Sequence, residues 1–168
     1  MEKLFSPWRS HYIQSFKGEK PTGCVFCSAL ERTEDDEETL LVYRGKESFV
    51  LMNRFPYNSG HLMVIPNRHS SDFQSLSASE SLECVELLQA SQRALQQLIK
   101  PHAFNLGMNL GRTAGAGIDD HFHWHIVPRW DGDTNFLPVL SDVKLVSEDM
   151  QRLWRELHDL FPSLISAK

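Results

Sequence analysis

The chain has 168 residues, near the size of one domain, and its 41% hydrophobic and 23% charged content is ordinary for a soluble globular fold. Seventeen basic against 22 acidic side chains give a net charge of −5, a poor balance for gripping a nucleic-acid backbone, although local donors can still hold a small phosphate-bearing ligand. No apolar run reaches bilayer length, the opening M-E-K-L-F-S-P-W-R-S lacks a signal-peptide core, and three cysteines are too few for a disulfide framework. A cytoplasmic protein is expected, with neither a membrane nor a nucleic acid as partner.

Taken in order, residues 1–23 are punctuated by Pro7, Gly18, Pro21 and Gly23 and read as an arm packed on the body. Glu31 to Glu38, E-R-T-E-D-D-E-E, reads as a solvated acidic loop or helix end. From Thr39, the runs L-L-V-Y-R, S-F-V-L-M-N and G-H-L-M-V-I-P predict three short strands in an antiparallel meander. Ser77 to Glu80 is a capping-box pattern that opens a long helix to about Ile99, with Leu82, Val85, Leu88 and Leu95 near helical spacing. A-F-N-L-G-M-N-L-G and H-F-H-W-H-I-V-P predict a fourth and a fifth strand, and Ser147 is placed as the cap of a last helix to about Leu160. The expectation is one α+β domain over 1–168, an antiparallel sheet with helices on one side: arm 1–23, core 24–130, and a C-terminal extension and helix 131–168.

The run Asp119 to Trp130, D-D-H-F-H-W-H-I-V-P-R-W, carries the chemistry. Strand alternation puts His121, His123 and His125 on one face and Phe122, Trp124 and Ile126 on the other. Clustered imidazoles lower one another's proton affinity and add no packing, so the cluster points to metal binding or catalysis rather than to structure. Of a three-histidine zinc site and nucleophilic catalysis by one imidazole, the surroundings favour the second. Upstream, N-L-G-R-T-A-G-A-G-I (Asn109 to Ile118) carries Gly111, Gly115 and Gly117, which let backbone amides approach an anion. Asp119 and Asp120 read as a solvated approach to the strand.

G-x-x-x-D-D-H-F-H-W-H-I-V-P-R resembles the signature of the histidine triad (HIT) superfamily of nucleotidyl hydrolases and transferases, and N-R-F-P-Y-N-S-G-H-L-M-V-I-P (Asn53 to Pro66) resembles its ribose-binding strand pair. The resemblance runs from about Cys24 to Arg129. G-M-N-L-G…A-G-A-G-I with H-I-V-P-R-W-D-G-D-T-N-F-L-P-V is also similar to the bacterial diadenosine tetraphosphate phosphorylase-like branch. It implies that His123 attacks an α-phosphorus to form a nucleotidyl-imidazole. His125 would hydrogen-bond the far-nitrogen side of that residue or its backbone support, and His121 would lie near the phosphate or serve a metal. Asn53 would bind the ribose hydroxyls, and His61, Leu51 and Met63 would form the ribose and base pocket. Asn109, Gly115 and Gly117 would contact phosphate. Gly117 stands where relatives often carry Gln or Ser, and the loop is one residue longer, which leaves leaving group and second nucleophile open. The expected substrate is a dinucleoside polyphosphate, cleaved by phosphate or water. A nucleoside phosphoramidate hydrolase, or a nucleotide-binding protein with little turnover, are the alternatives.

C-V-F-C, Cys24 to Cys27, has the spacing of zinc knuckles and of redox dithiols, and no parallel βαβ unit supports a thioredoxin-like role. The resemblance implies a structural zinc closed by His69 and His121, no organic cofactor, and a homodimer with joined sheets. Cys84 reads as a buried packing residue. Trp130 reads equally as a base-stacking or an edge-covering residue, Arg129 as a phosphate or surface residue, and Phe136 and Leu137 as core or dimer interface.

Overall fold

The structure is a computed structural model that describes residues 23–33, 36–134 and 149–166. The arm 1–22, Phe136, Leu137 and Ser147 therefore lie outside the described residues. The elements are α1 (Val25–Glu31), α2 (Asp36–Thr39), β1 (Leu41–Arg44), β2 (Ser48–Met52), β3 (Leu62–Pro66), α3 (Ala78–Ile99), β4 (Ala103–Met108), β5 (Trp124–Arg129) and α4 (Met150–Ser166). The expected strands are all present. The histidine strand begins later than expected, however, so that His121 and His123 precede β5 and only His125 lies within it.

The five strands form one antiparallel sheet in the order β1-β2-β3-β5-β4. The meander supplies β1 to β3, and β5 slots between β3 and β4, which leaves β4 at the edge. Every residue of β2 and β3 is buried, because both faces of the central strands are covered. Val50, Met52, Leu62, Val64 and Ile126 face α3 and α4. On the opposite face Leu41, Phe49, Leu51, Met63 and Ile65 meet Phe26 and Ala29 of α1. Helices thus lie on both faces rather than one: S-F-V-L-M and L-M-V-I-P are apolar at every position, and an open face would leave half of them in water. Gly60, between β2 and β3, has φ +71°, and a Cβ there would lie 2.7 Å from Ile99 Cδ1, so the turn packs directly on α3.

The capping box of α3 forms as the sequence predicts: Ser77 accepts from Glu80 N and Glu80 accepts from Ser77 N. The buried face of α3 differs from the predicted one. Cys84, Leu87, Leu88, Ser91, Ala94 and Leu95 point inward, whereas Leu82 and Val85 are 61% and 47% exposed. The inward stripe runs from Glu80, held by Arg68, through Cys84 and Leu87, and Leu82 and Val85 lie off it on the exposed side. Cys84 is buried as expected, against Ser48 Oγ at 3.2 Å. The last helix is capped by Asp149, whose Oδ1 accepts from Gln151 N and Arg152 N. It continues past Leu160 and through Pro162 to Ser166, because Phe161, Leu164 and Ile165 prolong the apolar face begun by Leu153, Trp154 and Leu157. Trp154 Nε1 donates to the Leu41 carbonyl and locks α4 to the sheet. The acidic segment is pinned rather than merely solvated: Asp36, Glu37 and Glu38 pair with Arg44, Arg155 and Arg32. Among the described residues no helix is long and apolar enough to cross a membrane.

Hydrogen bonds from Arg68 and from the Ser77 backbone hold Glu80 well below the usual carboxylate range, at about 2. A depressed carboxylate contributes stability that is present above its unfolded value near 4.5 and is lost as pH falls toward 2. Urea midpoints of the wild type should therefore fall over that window more steeply than those of Glu80→Gln, and parallel curves would show that the box carries no such linkage.

Candidate active site

On the α1 face the sheet register aligns a row across four strands: His125 of β5 opposite Met63 of β3, Met63 opposite Leu51 of β2, and Leu51 opposite Leu41 of β1. Part of this row floors a cavity of about 660 Å³, lined by Leu51, Met63, His123 and His125. One wall is α1, from Cys24 through Ala29. Asn53, Arg54, Phe55 and Tyr57 of the β2–β3 connection and Asn109, Gly115, Gly117 and Ile118 of the glycine loop complete the lining. Gly115, at φ +94°, ends a short 3₁₀ turn, and its carbonyl faces Asn109 Nδ2 at 3.5 Å. The glycine loop is folded back on the amide that precedes it.

Backbone groups assign the proton of each imidazole. His123 Nδ1 lies 2.9 Å from the His121 carbonyl; a carbonyl only accepts, so Nδ1 carries the hydrogen and Nε2 keeps its lone pair for the cavity. Burial, more than any other influence, pushes His123 below the ordinary histidine range, toward the neutral form. His121 Nε2 donates in the same way to the Pro66 carbonyl at 2.9 Å, which leaves Nδ1 bare. His61 Nδ1 accepts from Tyr57 N at 3.1 Å, so its Nε2 donates to His125 Nδ1 at 2.9 Å and places the His125 proton on Nε2. Three adjacent histidines therefore present different nitrogens to different partners.

The bare Nδ1 of His121 faces two thiols, Cys24 Sγ at 3.3 Å and Cys27 Sγ at 3.7 Å, while His69 Nδ1 lies 3.4 Å from Cys27 Sγ. All four ligand atoms lie within 4.8 Å of one another. Burial and the neighbouring Cys24 push the Cys27 thiol up to about 11, a resistance to ionisation that a bound cation would reverse. Phe26 stands between the two cysteines in sequence and packs on both rings of the histidine pair, 5.5 Å from the His121 ring and 4.9 Å from the His123 ring.

Asn53, Leu51, Met63, Asn109, Gly115, Gly117, His123 and His125 all line the cavity. His61 does not: it is 0% exposed and stands behind His125, also within 3.4 Å of Asn53 Nδ2. It is a supporting residue rather than a pocket wall, because the turn from Asn53 to Gly60 folds over it. His121 turns its ring to the cysteines and serves His123 only through its carbonyl. The far nitrogen of His123 is thus held by backbone and not by His125. Arg129 forms a bidentate pair with Asp133, which also receives Asn58 Nδ2 and Trp130 N; neither Arg129 nor Trp130 lines the cavity. Sequence reasoning missed Phe26, Tyr57 and Pro66. The C-V-F-C spacing could have flagged Phe26, since it carries that residue wherever the cysteines go.

The HIT domain profile matches residues 34–132. The AP-4-A phosphorylase of Mycobacterium tuberculosis is 36% identical over 160 residues, covering 91% of this chain and 82% of the relative. The asymmetrical bis(5'-nucleosyl)-tetraphosphatase of Schizosaccharomyces pombe is 32% identical over 119 residues, 71% of this chain and 62% of that protein. Among solved structures, a zinc-bound histidine triad family protein from Mycobacterium smegmatis superposes with a TM-score of 0.68 at 23% identity, covering 87% of this chain and 98% of that one. The chain belongs to the HIT domain family. Its relatives with named activities are enzymes.

His61→Ala should cost about 2–4 kcal/mol of stability, because it empties a fully buried site and removes the acceptor of the Tyr57 N–H. Thermal denaturation measures it, and a loss below about 1 kcal/mol would show that the histidine stack carries little of the fold.

Proposed function

We propose that the chain is a HIT nucleotidyl enzyme that cleaves a dinucleoside polyphosphate through His123. The observation that carries this reading is the hydrogen bond from His123 Nδ1 to the His121 carbonyl, which presents a neutral Nε2 lone pair to the cavity. From His125 to Leu51 the row crosses two strand gaps, about 9–10 Å, room for a nucleoside monophosphate lying across the sheet. Leu51 and Met63 would floor the base and Asn53 would take the ribose hydroxyls. Asn109, Gly115 and Gly117 would meet the phosphate.

With the α-phosphorus at His123, Nε2 attacks in line and the remaining nucleoside polyphosphate departs, its oxygen met by the His125 Nε2–H. The phosphoramidate is then opened by inorganic phosphate or water. His61 would act only through His125, as the donor that sets its tautomer. No organic cofactor enters this route. The Cys24, Cys27, His69 and His121 cluster suits zinc: two sulfurs and two nitrogens make a closed structural set, and Pro66 supplies the outer hydrogen bond that orients His121. Zinc would supply fixed tetrahedral bonds there, tying α1 to the approach of β5.

Incubation with diadenosine tetraphosphate, with and without phosphate, followed by chromatography, tests the reading. ATP plus ADP only with phosphate would make the chain a phosphorylase; ATP plus AMP in either buffer would make it a hydrolase. His123→Ala should lower turnover at least about 10³-fold and spare AMP binding. No product under either condition would sink the reading in favour of a phosphoramidate substrate or a binding role.

We also propose a homodimer joined at β4. Leu106 on that edge strand and Leu110 just beyond it are each 49% exposed, and an unpaired edge invites a second copy. Leu106→Lys should shift the sedimentation equilibrium toward monomer; a wild type that already sediments as monomer would refute the proposal.

A further inference from the structure

Cys24 and Cys27 sit where a metal site, a redox-active spacing and the catalytic cavity coincide. Both are free thiols of intermediate exposure, and both line the cavity, so a small oxidant that enters the cavity reaches them. Cys84, the third cysteine, is buried elsewhere in the core. The two sulfurs lie within the 4.8 Å cluster. Residues three apart across one helical turn lie about 5–6 Å apart at Cβ, whereas a disulfide draws its Cβ atoms to about 3.8 Å. Closing that bond must therefore tighten the start of α1, where Cys24 is the N-cap and Phe26 lies inside the loop.

We infer that Cys24 and Cys27 form a reversible disulfide that switches the HIT site off, with release of the cluster's metal and displacement of Phe26 from His123. The metal part rests on the zinc reading above, and the turnover part on the proposed activity. In the forward step, hydrogen peroxide accepts two electrons from the two metal-bound thiolates. Its O–O bond breaks, two protons from solvent complete two waters, and one S–S bond forms. The two imidazoles of His69 and His121 that remain are too few ligands to keep zinc closed. His121 then loses its contacts at 3.3 and 3.7 Å to the sulfurs, and its ring is held by the Pro66 carbonyl. The strain reaches the nucleophile by two short routes. His121 supplies the carbonyl that fixes His123 Nδ1, and Phe26 packs on both rings. A thiol reductant with zinc reverses the step.

The test uses the zinc-loaded full chain before and after hydrogen peroxide. It reads metal release with a chromogenic chelator, intact mass, AMP affinity by calorimetry, and turnover of diadenosine tetraphosphate. The expected result is release of zinc, a polypeptide lighter by two hydrogens, and a fall of at least about tenfold in both turnover and AMP affinity. Reductant plus zinc should restore all four. Because replacing Cys24 or Cys27 removes a zinc ligand and can unfold α1, the supporting variant is Cys84→Ala, which should respond as the wild type does. A disulfide with unchanged turnover and AMP affinity would overturn the switch. So would inactivation accompanied only by oxygen addition to sulfur, or a Cys84→Ala chain that no longer responds. If the reduced protein does not turn over the dinucleotide at all, the proposed activity fails, while mass, zinc and AMP affinity still decide the switch.

Discussion

A neutral imidazole has one nitrogen that donates and one that accepts, and burial requires each to find its match. That requirement organises the whole site. The His121 carbonyl takes the His123 Nδ1 proton, the Pro66 carbonyl takes the His121 Nε2 proton, and the Tyr57 amide forces the His61 proton toward His125. Each assignment comes from a main-chain group, which cannot rotate away as a side chain can. The bare Nε2 of His123, the bare cysteine-facing nitrogen of His121 and the donor on His125 are three consequences of one backbone geometry.

That geometry depends on where β5 starts. Regular pairing ends at Trp124, so His121 and His123 are placed by the irregular approach to the strand. All three rings lie on the α1 side, but His121 sits against Cys24 and Cys27 while His123 and His125 line the cavity. The His121 backbone stays beside His123 while its side chain joins the cysteines. One residue thereby links the cysteine–histidine cluster to His123, and Phe26 adds a second link made of packed rings. The cavity and the cluster share α1 as a wall, so anything that loosens its first turn is felt by both.

The two-sided burial of β2 and β3 makes this arrangement rigid. Long helices cover one face, and α1 with the cavity covers the other. The floor residues Leu51 and Met63 are held from behind by Met52, Leu62 and Val64, which pack against the α3 and α4 core. Asn58 serves the far end: its amide reaches the Pro128 carbonyl and Asp133, tying the turn over His61 to the end of β5.

The strand runs, the Ser77–Glu80 box, the glycine loop and the histidine alternation were legible in the sequence because each is a local pattern with a fixed period or spacing. Of the residues that line the cavity, Leu51, Asn53, Met63, Asn109, Gly115, Gly117, His123 and His125 were legible through their motifs, whereas Phe26, Phe55 and Tyr57 were not. The buried face of α3 was misjudged at Leu82 and Val85, since periodicity gives the spacing of a stripe but not where the neighbouring sheet begins. His61 was misplaced for a related reason: a motif shows that a residue belongs to a site, not which side of the backbone it occupies. The sequence by itself determined the element types, the family and the run that brings the three histidines together. Only the tertiary structure decided which nitrogen each histidine presents, because that depends on carbonyls and amides brought close from residues up to 55 positions away.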